Sequence, residues 1–512
     1  MVPGCSSDRS TAEPEPSHEL ASVPGRPEGL PGRCVMTQSD PTLWSAVRQA
    51  AAIRSGELTS VGLTQAVIDR IEALNPTINA VVTTAFGEAL IAAAEADEVL
   101  ASGADVGPLH GLPITVKDAL ETANMRSTGG APALAEHVPS VDATVVAKMR
   151  AAGAIVIGKT NLPLWSGDIQ AFNDLFGTTV NPWDATRVPA GSSGGAAAAV
   201  ATGMSSFEIG TDIGGSIRFP AAFNGIFGHK PSHGIIPSTG YLDHPGGGGI
   251  QADVNVFGPL TRSAEDLELL LDLMVSVPEP FSIDLPKPPS DLTSLRIAAW
   301  LDDEFCPIDS SVAEVLERAV AALESAGYSI DRDARPDVDP AEAAELGMQL
   351  VGSAIDYDGR TPDNDHSTWL RRHTRREEIR RAWADFFTSF DIVLMPVSFV
   401  PPFEHNQQGT FSNRTLVCNG QERPYSDVVS WTILTGMAYL PATVPPIGLT
   451  NDGLPTSMQV IGRYGADRIT IALAAAIAQL CGGWQPPPVA VGNDSRCNSS
   501  IVAELRSSGT IL

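Results

Sequence analysis

Short β-branched runs alternate with helical stretches along this chain, and that alternation restricts it to helices packed over a sheet. Thr59–Asn75, "TSVGLTQAVIDRIEALN", sets Val61, Val67, Ile68, Ile71 and Leu74 at helical spacing, with Thr59 or Ser60 as cap and Pro76 just beyond. "PITVK" and "AIVIG" read as buried strands, with a helix over 142–152 between them. The Ala-rich run 196–201 reads as a helix and "SSFEIGTD" as a strand. Further helices are expected over 262–276, 311–326, 369–390 and 467–481, and strands in "SLRIAAWLDD", "DIVLMPVSFVPP" and "GLPTSMQVIGRYG". Between residues 40 and 485 there is neither an internal repeat nor a strong linker signal. The expected fold class is therefore α/β.

Both ends differ from that body. Residues 1–35 are rich in Pro, Ser, Gly and Glu and contain no apolar h-region, so they are expected to be a disordered extension rather than a secretory signal. Met36 is read as the true start, or the preceding residues as a dispensable tail. Residues 486–512 read as a polar C-terminal tail. The two most apolar long stretches, 194–204 and 469–481, fall well short of the roughly 20 residues a membrane span needs. A formal net charge of −27 argues against nucleic acid or an anionic membrane as partner, because both would repel this surface. Six cysteines without CxxC spacing make neither a zinc site nor a disulfide framework, which fits a reducing, cytoplasmic location.

Three chemistries are suggested by motif and fail on residue type. "GAIVIGKT" (153–160) fits a phosphate-loop pattern, but three β-branched residues among its four variable positions favour an extended strand, and no helix can begin at "KTNLP". His229 and His233 in "GHKPSHG" have an i, i+4 spacing, yet Gly228, Pro231 and Gly234 make the stretch a turn, so no metal site is expected. Ser216 sits in G-G-S-I-R, which does not match the G-x-S-x-G elbow of Ser-His-Asp hydrolases.

Three polar features remain. Ser216 lies at the tip of a glycine-rich turn, "GTDIGGSIR", between two apolar runs. Lys117 ends an apolar strand, in a chain whose lysines are only Lys117, Lys148, Lys159, Lys230 and Lys287. Desolvation strips charge from such an amine, and lowering its pKa from about 10.4 to about 7 costs roughly 4–5 kcal/mol. The competing role for Lys117 is a salt bridge with Asp118. "AGSSGGAAAAVATG" (190–203) supplies a second serine-rich turn, in which Ser192 or Ser193 alternatively caps a helix.

Taken together, these pieces resemble the amidase signature family of serine amidohydrolases. The matching stretches are "GPLHGLPITVKD", "GAIVIGKTNLP", "FGTTVNPWD", "AGSSGGAAAAVATG", "GTDIGGSIRFPAAFNGIFGHKPS" and "GLPTSMQVIGR", so the likeness runs from about residue 43 to 481. The resemblance implies one large α/β domain over residues 36–485, a twisted mixed β-sheet covered by helices on both sides. It implies a Ser–cis-Ser–Lys triad: Ser216 as nucleophile, Ser192 as bridging serine behind a cis peptide bond, and Lys117 as base. Backbone N–H groups of Ile213, Gly214, Gly215 and Ser216 then match the oxyanion hole, and Ser193, Thr211, Asp212 and Arg218 the supporting polar shell. No cofactor is implied, the substrate is a small-molecule amide, and homodimers are common in the family. Ala190, Leu164 and His229 depart from the residues usual at their positions. The glycine- and polar-rich loops 241–249 and 401–425 are expected to border the pocket and carry specificity. The leading expectation is a stand-alone amidase. The alternatives are the amidase-type component of a tRNA-dependent amidotransferase and a non-catalytic binding protein on the same fold.

Overall fold

A computed structural model describes residues 40–244, 247–277, 281–356, 359 and 364–491. The expected extension 1–35 lies outside the described residues, as does the tail beyond residue 491.

Near the N-terminus, α1 (Ala46–Ser55) and α2 (Ser60–Ile78) precede β1 (Val81–Thr84) and α3 (Phe86–Ala101). Thr59 caps α2, its Oγ1 accepting the Gly62 N–H at 2.9 Å. The helix does not stop before Pro76 but carries it in its last turn, ending at Asn79 in the left-handed region (φ 54°). A proline there forfeits a single backbone bond, and the turn still closes through Asn79 N–H to Asn75 O at 2.7 Å.

Next come β2 (Pro113–Lys117), α4 (Thr144–Ala151) and β3 (Ile155–Thr160), then α5 (Gly194–Ala201), β4 (Glu208–Asp212), α6 (Arg218–Asn224), β5 (Phe227–Lys230), β6 (Val256–Thr261) and α7 (Ala264–Met274). The C-terminal half contributes β7 (Ile297–Ala299), α8 (Ser310–Ser325), β8 (Ile330–Asp331), α9 (Pro340–Ile355), α10 (His366–Ser389), β9 (Ile392–Pro396), α11 (Ser430–Gly436), β10 (Ala442–Val444), β11 (Met458–Gly462) and α12 (Asp467–Cys481). The "AIVIGKT" stretch is extended strand, as its β-branched content requires. The basic helix α10 buries Ile379, Trp383, Phe386 and Phe387, one stripe at helical spacing.

The strands form a mixed eight-stranded sheet in the order β8-β7-β9-β11-β10-β5-β6-β4, parallel over β8-β7-β9 and antiparallel elsewhere. Alternation along β6 sends Leu260 into one apolar core and Phe257 into another, so each face of the sheet is packed. A second sheet, β1-β3-β2, stands apart. Lys117 ends a strand of this small sheet, whereas the glycine turn follows β4 at the edge of the large one. The site therefore forms where two sheets meet without a shared backbone ladder. Among the described residues no helix is long and apolar enough to cross a membrane.

Candidate active site

The C-terminal ends of β2 and β4 converge on the loop before α5. Lys117 Nζ lies 2.6 Å from Ser192 Oγ, 2.8 Å from Thr211 Oγ1 and 3.0 Å from Ser193 Oγ, and all four side chains are buried. The Ser193 and Thr211 hydroxyls each have another acceptor within reach, Thr211 O and Tyr241 Oη, both at 3.4 Å. A neutral amine whose two N–H bonds go to Ser193 and Thr211 keeps its lone pair for the Ser192 hydroxyl. Burial draws the Lys117 pKa down from 10.5 to about 7, against the opposing pull of Glu208 and Asp212.

Neither competing structural role is taken up. Asp118 accepts the Thr128 N–H at 3.1 Å and the Thr128 hydroxyl rather than bridging to Lys117, because successive strand residues point to opposite sides. The cation whose field reaches Asp118 most strongly is Lys159. Ser193 occupies the N-cap position of α5 but makes no capping bond; its hydroxyl serves Lys117 and the Thr211 backbone.

The Gly191–Ser192 peptide bond is cis. Ala190, where the resemblance leads one to expect glycine, has φ 61°, a left-handed conformation that an alanine side chain disfavours. A Cβ on Gly191 would lie 2.7 Å from Asp168 O, so only glycine lets this loop approach the 168–170 segment. That segment is itself tied down. Asp168 pairs with Arg414 and accepts the Tyr425 hydroxyl at 2.7 Å, and Gln170 exchanges hydrogen bonds with the Asn406 backbone at 2.6 and 2.9 Å. Loop 401–425 thus braces the loop carrying Ser192. Beyond the end of β2, the Leu242 N–H donates to Ala119 O at 2.8 Å, which brings the start of the 241–249 stretch beside it.

Asp212 organises the glycine turn. Its Oδ1 accepts the Gly215 N–H at 2.8 Å and Arg218 Nη2 at 2.8 Å; its Oδ2 accepts the Ile217 N–H at 3.2 Å and Arg218 Nε at 2.9 Å. Burial pushes this carboxyl up, but Arg218, Lys230 and the Ile217 N–H together hold Asp212 below its ordinary value. Arg218 also reaches Thr432 O at 2.7 Å and Gln459 Oε1 at 2.8 Å. The expected cradle of four N–H groups is corrected by one member, since the Gly215 N–H is spent on Asp212. Those of Ile213, Gly214 and Ser216 have no hydrogen-bond partner among the described residues. Gly215 instead supplies the bend: it has φ 129°, and a Cβ there would meet the Phe219 ring at 2.2 Å. Ser216 is 5 % exposed, and among the described residues its hydroxyl makes no hydrogen bond. The structure thus joins Lys117 directly to Ser192, but it draws no hydrogen bond from Ser192 to Ser216.

Arg218→Met is expected to destabilise the fold by about 3–5 kcal/mol, because it leaves the Asp212 carboxylate buried without its cation. Denaturant unfolding of the purified variant checks this, and a midpoint equal to wild type would contradict it.

Glu208 and Tyr241 belong to this site and escaped the sequence reading. Glu208 could have been noticed as the lone carboxylate in the apolar run "FEIG". Tyr241 reaches Thr211 from a loop, and no local pattern announces that. The two turn histidines are committed elsewhere: His229 lies between Thr443 Oγ1 (2.9 Å) and Asp467 Oδ1 (3.1 Å), and His233 stacks on Tyr439. Leu164 is partly exposed in a 3₁₀ turn.

A mixed sheet thus meets, at its edge, a small sheet that carries a buried amine among hydroxyls. The chain belongs to the Amidase family, whose model matches residues 62–361 and 349–471. It is 34% identical over 479 residues to indoleacetamide hydrolase of Bradyrhizobium diazoefficiens, covering 86% of this chain and 87% of the relative. It is 32% identical to fatty-acid amide hydrolase 2-B of Danio rerio (87% and 91% covered) and 32% identical to a glutamyl-tRNA(Gln) amidotransferase subunit of Carboxydothermus hydrogenoformans (85% and 96%). Among solved structures, a bacterial aryl acylamidase of the amidase signature family superposes with a TM-score of 0.73 at 25% identity, covering 88% of this chain and 99% of that one.

Proposed function

We propose that this amidase acts alone on a carboxylic amide through a Ser216 acyl-enzyme, with Ser192 and Lys117 as its proton relay. The observation that carries the reading is the 2.6 Å contact between Lys117 Nζ and Ser192 Oγ, buried beside a turn whose Ile213, Gly214 and Ser216 N–H groups have no partner among the described residues. Ser216 Oγ attacks the amide carbon; its proton passes to Ser192 as the proton of Ser192 passes to Lys117. For that step, the Ser216 side chain turns toward Ser192 when substrate is seated. The oxyanion is met by the N–H groups of Ile213, Gly214 and Ser216. Lys117 returns the proton through Ser192 to the departing nitrogen, the C–N bond breaks, and amine or ammonia leaves. Water then attacks the ester by the same route, releasing the acid and restoring Ser216. No step calls for a cofactor.

The names of the relatives support an amide with an apolar acyl or aryl part, and small aliphatic and aryl amides head the substrate panel. Acid release from that panel by the purified chain is the test. Hydrolysis by the chain on its own separates a stand-alone amidase from the amidotransferase reading, which the similarity to the Carboxydothermus protein keeps in view. Covalent labelling of Ser216 by a fluorophosphonate separates both from a binding protein. We also read the enzyme as a cytoplasmic homodimer, a point that sedimentation of the purified chain decides for the dimer.

The relay sets a pH dependence. Lys117 works as a base only when neutral, so kcat/KM is expected to rise with pH through about 7, the value to which burial draws its amine. A rate that is flat from pH 5 to pH 9 would exclude this amine as the base.

A further inference from the structure

Glu208 is a fully buried carboxylate at the start of β4, and the relay described above does not use it. Its Oε1 accepts the hydroxyls of Thr160 at 2.7 Å and Thr115 at 3.1 Å. Its Oε2 accepts the N–H of Ile209 at 2.9 Å and the backbone N–H of Lys117 at 3.1 Å. Four donors on three strands therefore saturate one carboxylate. Burial pushes its pKa up to about 7, while these donors favour the anion. It lies at the seam where β2 of the small sheet meets β4 of the large one, and these two strands share no ladder. A second side chain helps there, Ser205 Oγ accepting the Thr115 N–H at 2.9 Å. Strand β4 thus grips both ends of one lysine: Glu208 holds its backbone, and Thr211, three residues on, holds its Nζ.

We propose that Glu208 is the positioning residue of the base: it fixes Lys117 across the seam between the sheets, and its charge sets the pH at which that amine becomes active. This rests on the reading of Lys117 as the base. The charged groups whose fields reach Lys117 are Glu208 and Asp212. Lys159 faces Glu208 from β3, and is itself faced by Asp118, Asp142 and Arg150. Removing the Glu208 charge takes away the stronger of the two anionic fields that favour the protonated amine.

Two substitutions separate charge from anchoring. Glu208→Gln keeps an oxygen for the two backbone N–H groups and turns its NH₂ toward Thr115 and Thr160, whose hydroxyls rotate to accept it. Glu208→Ala removes charge and anchor together. The readout is the rate at which a fluorophosphonate labels Ser216, measured from pH 5 to pH 10 on the full chain. Labelling forms an O–P bond as fluoride leaves, and the Ser216 proton passes through Ser192 to Lys117. Glu208 and Lys117 titrate in the same range, so the carboxylate is fully anionic only on the upper part of the acid limb, and for Glu208→Gln the midpoint is expected to fall by about half a unit. For Glu208→Ala the plateau rate is expected to drop at least about tenfold. A Glu208→Asp variant, which restores the charge, returns the midpoint to that of wild type. A Gln profile superimposed on wild type overturns the inference alone, whether or not the Ala variant folds. A wild-type chain that is not labelled at Ser216 overturns the acyl-enzyme reading and the inference with it.

Discussion

Ser216→Ala is expected to lower amide hydrolysis by a factor on the order of 10⁴ or more while leaving the fold as stable as wild type. Both halves follow from the same geometry. The hydroxyl makes no hydrogen bond among the described residues, so its removal orphans no buried partner. The Cβ remains, and the turn that positions it is held by Asp212 and Arg218 rather than by the serine side chain. On the proposed mechanism, the residual rate is what the N–H groups of Ile213, Gly214 and Ser216 achieve with water as nucleophile. Product release and denaturant unfolding of the purified variant check the two halves. Turnover at the wild-type level would remove Ser216 from the mechanism.

Lys117→Met separates activity from stability in the opposite direction. Methionine keeps the apolar stem and loses the amine, so the Ser192 proton has no acceptor and turnover is expected to fall by a factor on the order of 10³ or more. The fold gains. A lysine whose pKa drops from 10.5 to about 7 on folding binds its proton more tightly in the unfolded chain. The resulting penalty, about 4–5 kcal/mol, is fully present below about pH 7 and fades as pH rises toward 10.5. Wild-type stability therefore climbs with pH across that interval, and the methionine variant climbs less steeply. Part of the slope survives, because Lys159 and Lys230 are buried with pKa values drawn down to about 8 and about 7. Unfolding free energies at several pH values measure the difference. An unchanged slope would mean that Lys117 is not a buried neutral amine in the native state.

The individual elements were legible wherever a short-range pattern encodes them. Helix α12 begins and ends where its apolar spacing placed it, and the strand at 155–160 followed from β-branched residues even though its letters imitate a phosphate loop. The exceptions are places where local propensity is a poor guide. Pro76 is tolerated inside α2 because it occupies a final turn, and Ser193 declines to cap α5 because a buried amine claims its hydroxyl. The serine and lysine positions stood out through the motifs that carry the family resemblance; taken singly, a helix cap and a salt bridge would have accounted for them.

What the sequence by itself determined is the inventory: an α/β chain, a rare lysine at the end of an apolar strand, and two serine turns with glycine where backbones must come close. Only the tertiary structure decided how those parts face one another. It put the lysine on a separate small sheet, gave the Gly215 N–H to Asp212, and bridged the two sheets with the Glu208 carboxylate. The reason is physical. Strand and helix periodicity are local properties of the chain, whereas the partner of a buried donor is chosen by whichever acceptor distant segments bring within about 3 Å.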